Sequence, residues 1–372
     1  MSEAVLAFGG LRILAEAAPG HLQWLEEFLG PPFERTDCHD EADWRVRLVE
    51  DRERYRHALS RGPADGTLEA FAFDAKVVGL PRWHTEAAET SLFDASRGLL
   101  FEVTYPSRAV TLLTEPGNAD GRIALMRILR ELGINRAQRR GGLLLHAAAM
   151  AVGDRGIVIT GPKGAGKTSL LIHALRARSA RYVSNDRVVV TGAAGRPSAT
   201  GVPTIVALRR GTLDLFPSLA ARAAASGYAY RLTQGEALAA GSRSADPGGK
   251  PDSLSPAQLC RLLDVPSLAC SQIAAIVFPR VTGEPGTFAL RRLTEAEVVE
   301  EIPDMLFGVR GGRYTSSLFV DPADPPPPDL DALTERCRNL ASRLPCVECR
   351  LGLEAFDAPA AADDLIAAIL SH

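Results

Sequence analysis

The sequence predicts an α/β protein in two parts, a small α+β domain at residues 1–115 and a larger domain at 116–372. Three observations support this prediction. A length of 372 residues exceeds the usual size of a single domain. Short apolar runs separated by Gly and Pro turns fill the first part. In the second part, an apolar strand, a glycine-rich loop and a helix follow one another between residues 157 and 178.

The first part is predicted to form a small antiparallel sheet. Residues 6–14 are expected to form one strand that contains Gly9-Gly10, and residues 19–29 have the apolar spacing of a helix. Apolar and arginine residues alternate over 44–48, as in a half-buried strand. No pattern in this part points to a chemistry, and substrate recognition is the role considered for it.

Composition excludes several classes of protein. The 42 Lys and Arg residues against 45 Asp and Glu give a net charge of −3, so no global basic field would attract nucleic acid. No window approaches the ~18 continuous apolar residues of a membrane span. The start, Met1-Ser2-Glu3-Ala4, lacks the basic residues of a signal peptide, and we expect a cytoplasmic protein.

The cysteines favour a structural role. Of the six, only Cys346 and Cys349 have a spacing with chemical meaning, and no second pair of zinc ligands lies nearby. We therefore expect two reduced cysteines in a strand or turn, without disulfides.

The second part opens with a helix at 119–139, followed by an apolar run at 143–152 that only His146 interrupts. A turn at 153–156 leads into the strand at 157–160, so His146 is expected on a neighbouring strand. A core histidine is the alternative interpretation.

The loop after this strand has the residues of a P-loop in the context that a P-loop needs. Glycine can adopt positive φ, so backbone N–H groups can surround phosphate oxygens, and the following helix points its positive dipole end at them. Lys167 would reach the β- and γ-phosphates, and the Thr168 hydroxyl would bind Mg²⁺. ATP and Mg²⁺ are therefore the predicted cofactors. The predicted nucleotide-binding residues are Gly161, Pro162, Lys163, Gly164, Ala165, Gly166, Lys167, Thr168 and Ser169.

An acidic residue, Asp186, follows the next short strand, 19 residues after Lys167. Such a carboxylate can bind Mg²⁺ or take a proton from an acceptor hydroxyl. A turn aspartate is the alternative, but the position after the helix of a P-loop favours function. The composition of residues 227–251 predicts a surface loop or lid. Ordinary solubility on an exposed loop is the simpler explanation of its cations, and closure of arginines or lysines of the 209–250 region over the phosphates is the alternative.

Three segments together resemble the HPr kinase/phosphorylase-like family, whose core is related to phosphoenolpyruvate carboxykinase. They are Leu145-His146-Ala147, the loop at 161–168, and Asn185-Asp186-Arg187-Val188. In that family a histidine lies fifteen residues before the first loop glycine, as His146 does here. The resemblance covers residues 143–190 and is nearest to lasso-peptide tailoring kinases, which phosphorylate a serine of a precursor peptide.

The resemblance implies catalytic roles for three residues. Lys167 would bind phosphates, Asp186 would deprotonate the acceptor hydroxyl and help to bind the metal, and His146 would orient Asp186. The family carries two adjacent aspartates, whereas this chain has Asn185 at the first position. One negative charge is therefore missing near the base and the metal.

The predicted function is an ATP-dependent kinase that phosphorylates a Ser or Thr hydroxyl of a peptide or small protein. Two alternatives stay open: a kinase of the same fold that acts on a small metabolite, and a nucleotide-binding module without transfer activity. The sequence leaves open whether the chain forms a homo-oligomer.

Overall fold

The computed structural model describes residues 1–37, 42–62, 67–73, 76–85, 88–192, 195–226, 252–309, 319–320, 323–326, 328–356 and 360–372. These residues form two compact units. The first contains residues 1–140 with the described parts of 308–327, and the second contains residues 141–226, 252–307 and 328–372. Within the described ranges, no helix has the length and apolar character that crossing a membrane requires.

The first unit is built on a nine-stranded mixed sheet. The strands are β1 Ser2–Phe8, β2 Leu11–Ala17, β3 Glu34–Thr36, β4 Trp44–Glu50, β5 Thr67–Phe73, β6 Lys76–Thr85, β7 Ala88–Asp94, β8 Leu99–Thr104 and β9 Ala109–Thr114. The strand order is β3-β1-β2-β4-β9-β8-β7-β6-β5. Strand β4 is parallel to β2 and to β9, and the other neighbours are antiparallel. The prediction of a small antiparallel sheet is therefore wrong in both size and type.

The segment predicted as one strand over 6–14 is a tight hairpin between β1 and β2. Gly9 and Gly10 have φ values of +57° and +79°, and Phe8 pairs with Leu11 on either side of them. A two-residue hairpin turn of this kind requires positive φ at both central positions, which favours Gly-Gly. The two glycines therefore reverse the chain instead of continuing the strand.

The described residues of the first unit also form three helices: α1 Pro19–Leu29, α2 Arg52–Ser60 and α3 Ala119–Arg139. Helix α3 has the predicted bounds and begins at Asn118, whose side chain accepts a hydrogen bond from the Asp120 backbone. It packs on β2, β4 and β9. Because its apolar residues are buried there, α3 belongs to the first unit, and the observed division after Arg140 lies beyond the predicted boundary at 115/116.

The second unit is built on another nine-stranded mixed sheet. The strands are β10 Leu143–Leu145, β11 Ala147–Val152, β12 Arg155–Thr160, β13 Ala180–Ser184, β14 Val188–Thr191, β15 Ser198–Gly201, β18 Cys270–Val281, β19 Phe288–Arg292 and β20 Cys346–Leu351. Strand β12 is antiparallel to β11 and parallel to β18, which is in turn parallel to β20. A separate two-stranded sheet consists of β16 Val206–Leu208 and β17 Asp252–Leu254.

The described helices of this unit are α4 Lys167–Ala174, α5 Arg210–Leu215, α6 Pro217–Ser226, α7 Pro256–Leu263, α8 Glu295–Met305, α9 Leu330–Ala341 and α10 Ala361–Ser371, and a 3₁₀ helix spans Leu353–Phe356. One large apolar cluster joins β11, β12 and β18 to the helices that cover them, among them α4, α7 and α10. Helices α7 and α8 begin with the capping boxes that their sequences predict, at Ser255 and Thr294.

The cysteine prediction agrees with the structure. Cys346 and Cys349 lie three positions apart on β20, both are buried, and both are free thiols. Burial raises the pKa of Cys349 to about 12, so this thiol stays protonated at neutral pH.

Candidate functional site

A glycine loop, residues 161–166, connects β12 to α4 in the predicted order of strand, loop and helix. Gly161, Gly164 and Gly166 have φ values of +133°, +91° and +102°, which side chains with a Cβ rarely adopt. Gly166 is also the N-cap residue of α4. Three sharp backbone turns therefore end at a helix N-terminus, an arrangement that suits a bound anion. Helix α4 ends at Ala174, four residues earlier than predicted.

Lys167, the first residue of α4, holds the loop through its side chain. Its Nζ donates to the carbonyl oxygens of Gly161 at 2.7 Å and Pro162 at 3.1 Å. Burial lowers the pKa of Lys167, and the charges of Asp186 and Asp304 act in the opposite direction. The ammonium group of Lys167 therefore lies at the loop and interacts electrostatically with two carboxylates, Asp186 between β13 and β14 and Asp304 on α8.

The end of β18 packs directly against the other side of the loop. The Val281 backbone N–H donates to the Ala165 carbonyl at 3.4 Å. A Cβ placed on Gly166 would lie 2.3 Å from Cγ2 of Val281. Only glycine fits this position without movement of its neighbours, because of both this contact and its positive φ.

Asp186 lies between β13 and β14, where His146 and Arg187 face its carboxylate. The distances are 3.4 Å from His146 Nε2 to Oδ1 and 3.3 Å from Arg187 Nε to Oδ2. Burial opposes ionisation of Asp186, but the hydrogen bond from His146 and the charges of Arg187 and Lys167 outweigh it, so its pKa lies below the ordinary value. Asp186 is therefore an ionised carboxylate at neutral pH, and its side chain is 37% exposed.

His146 occupies the break between β10 and β11 and is not itself within either strand, which corrects the expectation of a continuous strand there. Its backbone N–H donates to the Met305 carbonyl at 2.7 Å, and its carbonyl accepts from Thr160 Oγ1 at 3.1 Å. Its ring meets the Phe307 ring edge to face, with the centroids 6.2 Å apart. These contacts fix the imidazole beside Asp186.

Asn185 has a structural role in the interior. Its Oδ1 accepts from Tyr182 OH at 2.7 Å and from Thr204 Oγ1 at 3.2 Å, while Nδ2 donates to the Ile205 carbonyl at 3.3 Å. The side chain needs one acceptor and one donor, which an amide supplies and a carboxylate does not. The local fold therefore explains why asparagine stands at this position.

The structure thus brings His146, Lys167 and Asp186 together around the glycine loop. Thr168 is half-buried at the start of α4, Lys163 is exposed, and Ser169 is buried. Among the cations of the 209–250 region, Arg209 and Arg210 are exposed at the start of α5, and the residues 227–250 lie outside the described parts.

Two residues near the loop, Arg280 and Phe307, were not predicted from the sequence. Arg280 follows the apolar strand segment 273–278, just as Asp186 follows β13. A polar residue at the end of a buried parallel strand is a usable signal, since such strand ends meet at one edge of a sheet. Phe307 lies under the guanidinium of Arg187, 4.2 Å from ring centroid to Cζ. No local pattern marks Phe307.

The described residues contain no group of three or more His, Cys, Asp or Glu side chains that could hold a metal ion. Oxygen atoms that could bind a metal ion beside the loop include the Thr168 hydroxyl, in the first turn of α4, and the Asp186 carboxylate, whose charge acts on Lys167. Chemically, the site offers a glycine loop whose backbone geometry suits an anion, a lysine, and an ionised carboxylate that can accept a proton.

No family model and no curated protein matches the chain. Among solved structures, the chain is similar to the HPr(Ser) kinase/phosphatase from Coxiella burnetii at 12% identity, over 40% of this chain and 72% of that one, with a TM-score of 0.20. At this TM-score the similarity gives no information about function.

Proposed function

We propose that the chain is an ATP-dependent phosphotransferase that phosphorylates a Ser or Thr hydroxyl of a peptide or small protein. The observation that carries this proposal is the ionised Asp186 carboxylate, oriented by His146 at 3.4 Å and electrostatically coupled to the lysine of the glycine loop. A phosphate-binding loop beside an ionised carboxylate is what transfer to a hydroxyl requires.

The residues present fit ATP with Mg²⁺. The glycine turns leave the loop free of Cβ atoms at Gly161, Gly164 and Gly166, and α4 presents its N-terminus there. Mg²⁺ in phosphoryl-transfer sites uses one or two protein oxygens together with phosphate oxygens and water. Thr168 and Asp186 would be those protein ligands. When bound, ATP and Mg²⁺ supply the transferable phosphoryl group and neutralise part of its charge.

Each of the three central residues has a defined task in this proposal. Asp186 accepts the proton of the acceptor hydroxyl as the new O–P bond forms and the bond from the γ-phosphorus to the bridging oxygen breaks, leaving ADP with that electron pair. His146 holds the carboxylate in position. Lys167 exchanges its contacts with the loop carbonyls for the phosphates. Positioning and charge stabilisation supply most of the catalysis in such transfers.

The central experiment follows γ-labelled ATP in the presence of peptides encoded beside the gene, or of a cell extract, with mass spectrometry of the labelled product. We expect label on a Ser or Thr hydroxyl. Asp186→Asn should lower the transfer rate by about 10²–10⁴-fold while ATP still binds, and Lys167→Met should weaken ATP binding. Asp264→Asn makes the same chemical change at the exposed end of α7 and should retain the wild-type rate.

Three outcomes would change the proposal. Transfer by Asp186→Asn within a few-fold of wild type would exclude Asp186 as the base. A labelled small metabolite would replace the peptide acceptor. ATP binding without product from any acceptor would favour a nucleotide-binding module, an alternative supported by Asn185, whose interior role leaves one acidic residue fewer at this turn.

A further inference from the structure

Arg280 is brought to the glycine loop by the topology of the second sheet. Strand β18 runs parallel to β12, with Val277 opposite Ile159, and then continues to Val281 alongside the loop. The Arg280 Nη1 atom lies 3.6 Å from the position that a Cβ on Gly161 would occupy. A guanidinium group is therefore fixed beside the first residue of the loop.

Glu301 of α8 forms an ion pair with Nη2 of Arg280, and Nη1 donates to the carbonyl of Pro279 at 3.2 Å. The Arg280 side chain is 33% exposed and that of Glu301 is 19% exposed. A guanidinium carries N–H donors on three nitrogens in a rigid fork. Two contacts within the protein orient this fork and leave donors for a ligand.

Helix α8 is itself tied to the site at its C-terminal end. The Met305 carbonyl accepts from the His146 backbone, and the Phe307 backbone donates to the Leu144 carbonyl at 3.0 Å. Glu301 lies one turn before this connection. The carboxylate that holds Arg280 therefore lies on the same helix that fixes His146.

We propose that Arg280 is a phosphate-binding residue of this site and that Glu301 is the positioning residue that aims its guanidinium at the phosphates. The inference depends on the proposed function, since it assigns a further contact to the same triphosphate. Arginine is suited to this task because its planar fork can donate two parallel hydrogen bonds to one phosphate group. Orientation by Glu301 lowers the entropy lost on binding.

The competing explanation is that Arg280 only ties α8 to the sheet. A second ion pair also links α8 to the sheet: Arg291 of β19 contacts Glu297 of α8 at 2.6 Å. Glu297 lies one turn before Glu301. Neither Arg291 nor Glu297 is among the atoms nearest to a Cβ placed on Gly161, Gly164 or Gly166. Arg291→Ala is therefore a control that removes a similar link between α8 and the sheet, together with the contact of Arg291 with Glu348 at 3.5 Å.

The test measures the Kd of ATP with Mg²⁺ by calorimetry, together with the thermal midpoint of unfolding, for the full chain and its variants. We expect Arg280→Ala to weaken ATP binding by about 10–100-fold, as loss of charge-assisted hydrogen bonds does. Arg280→Lys, which keeps the charge and the side-chain stem, should bind about 3–10-fold more weakly than wild type. Arg291→Ala should bind ATP as wild type does.

Glu301 is tested by conservative rescue. Glu301→Ala should weaken ATP binding by about 3–10-fold because Arg280 loses its orientation, whereas Glu301→Gln keeps an acceptor oxygen and should stay within about 3-fold of wild type. Equal weakening by both variants would overturn the positioning role.

Lys167→Ala separates failure of this inference from failure of the proposed function. If Lys167→Ala loses ATP binding while Arg280→Ala and Arg280→Lys bind within twofold of wild type, the role of Arg280 is wrong and the proposed function stands. If Arg280→Ala and Arg291→Ala weaken binding equally, Arg280 acts only as a structural link. If the wild type itself binds no ATP, the proposed function fails.

Discussion

Replacing Gly166 with alanine tests how closely the glycine loop packs against β18. The added Cβ would lie 2.3 Å from Cγ2 of Val281, well inside the ~3.5–4.0 Å at which carbon atoms attract. The φ of +102° adds a backbone cost of about 1–3 kcal/mol for a residue with a Cβ. Overpacking adds about 1–3 kcal/mol more. We therefore expect Gly166→Ala to lower the free energy of unfolding by about 2–6 kcal/mol.

Gly164 is the matched control for the backbone part of this cost. Its φ is also positive, at +91°, but no described atom lies within 4 Å of a Cβ placed on it. Gly164→Ala should therefore lower the free energy of unfolding by only about 1–3 kcal/mol. The difference between the two variants isolates the contact with Val281.

The assay is urea unfolding of the wild type, Gly166→Ala, Val281→Ala and the double variant. Val281→Ala removes the methyl group that the new Cβ would meet, so we expect a favourable coupling energy of about 1–3 kcal/mol. If the effects of Gly166→Ala and Val281→Ala on the free energy of unfolding add within ~0.5 kcal/mol, the steric contact is refuted. Equal losses of stability in Gly164→Ala and Gly166→Ala would also refute it.

Three further predictions concern stability. His173 is fully buried, and neither of its ring nitrogens forms a hydrogen bond with a described residue. Burial, and to a smaller extent the charge of Arg176, lower its pKa from 6.5 to about 4. Between pH 6.5 and pH 4 only the unfolded chain binds the proton, so the free energy of unfolding should fall by about 1.4 kcal/mol for each pH unit of acidification. Urea titrations at pH 7 and pH 5 should show a smaller pH dependence for His173→Leu. Asn185→Asp should lower the free energy of unfolding by about 1–3 kcal/mol in urea titrations, because a buried carboxylate cannot donate to the backbone carbonyl that the amide contacts. We expect no gain in the rate of phosphoryl transfer, and a more active variant would contradict this prediction. Gly133→Ala should lower the thermal midpoint of unfolding, because the new Cβ would lie 2.6 Å from Cδ1 of Phe8. We expect the overpacking cost of about 1–3 kcal/mol to exceed the gain of ~1 kcal/mol in helix propensity. A higher midpoint would show that the Phe8 ring can move aside.

The parts of the site that were predictable are those coded within short segments. Strand, loop and helix around Lys167 follow from consecutive residues, and Asp186 follows from its position after a short buried strand. His146 was expected on a strand next to β12 because a short turn joins the two segments, and its link to Asp186 came from the resemblance to the kinase family; the structure places it 3.4 Å from Asp186. The order of strand, loop and helix is confirmed, because it depends only on local periodicity, whereas the roles of the site residues stay predictions.

The parts that were not predictable depend on contacts between distant segments. Arg280 reaches the loop only through the parallel pairing of β18 with β12, and Phe307 reaches His146 only through the end of α8. The interior role of Asn185 depends on hydrogen bonds from Tyr182 and Thr204. No periodicity in the sequence indicates these contacts. In the first unit, the sheet was underestimated because strand order across nine strands is not encoded in any one segment.

The pairing of β12 with β18 has a consequence for how the chain acquires its structure. During synthesis the N-terminal segments emerge first, so β12 and the glycine loop are present long before β18, which spans Cys270–Val281. Until then one edge of β12 has no partner, and exposed edges of this kind invite aggregation. Such non-local pairing also slows folding. A fragment that ends before residue 270 would therefore contain the whole glycine loop and still be unable to assemble the site.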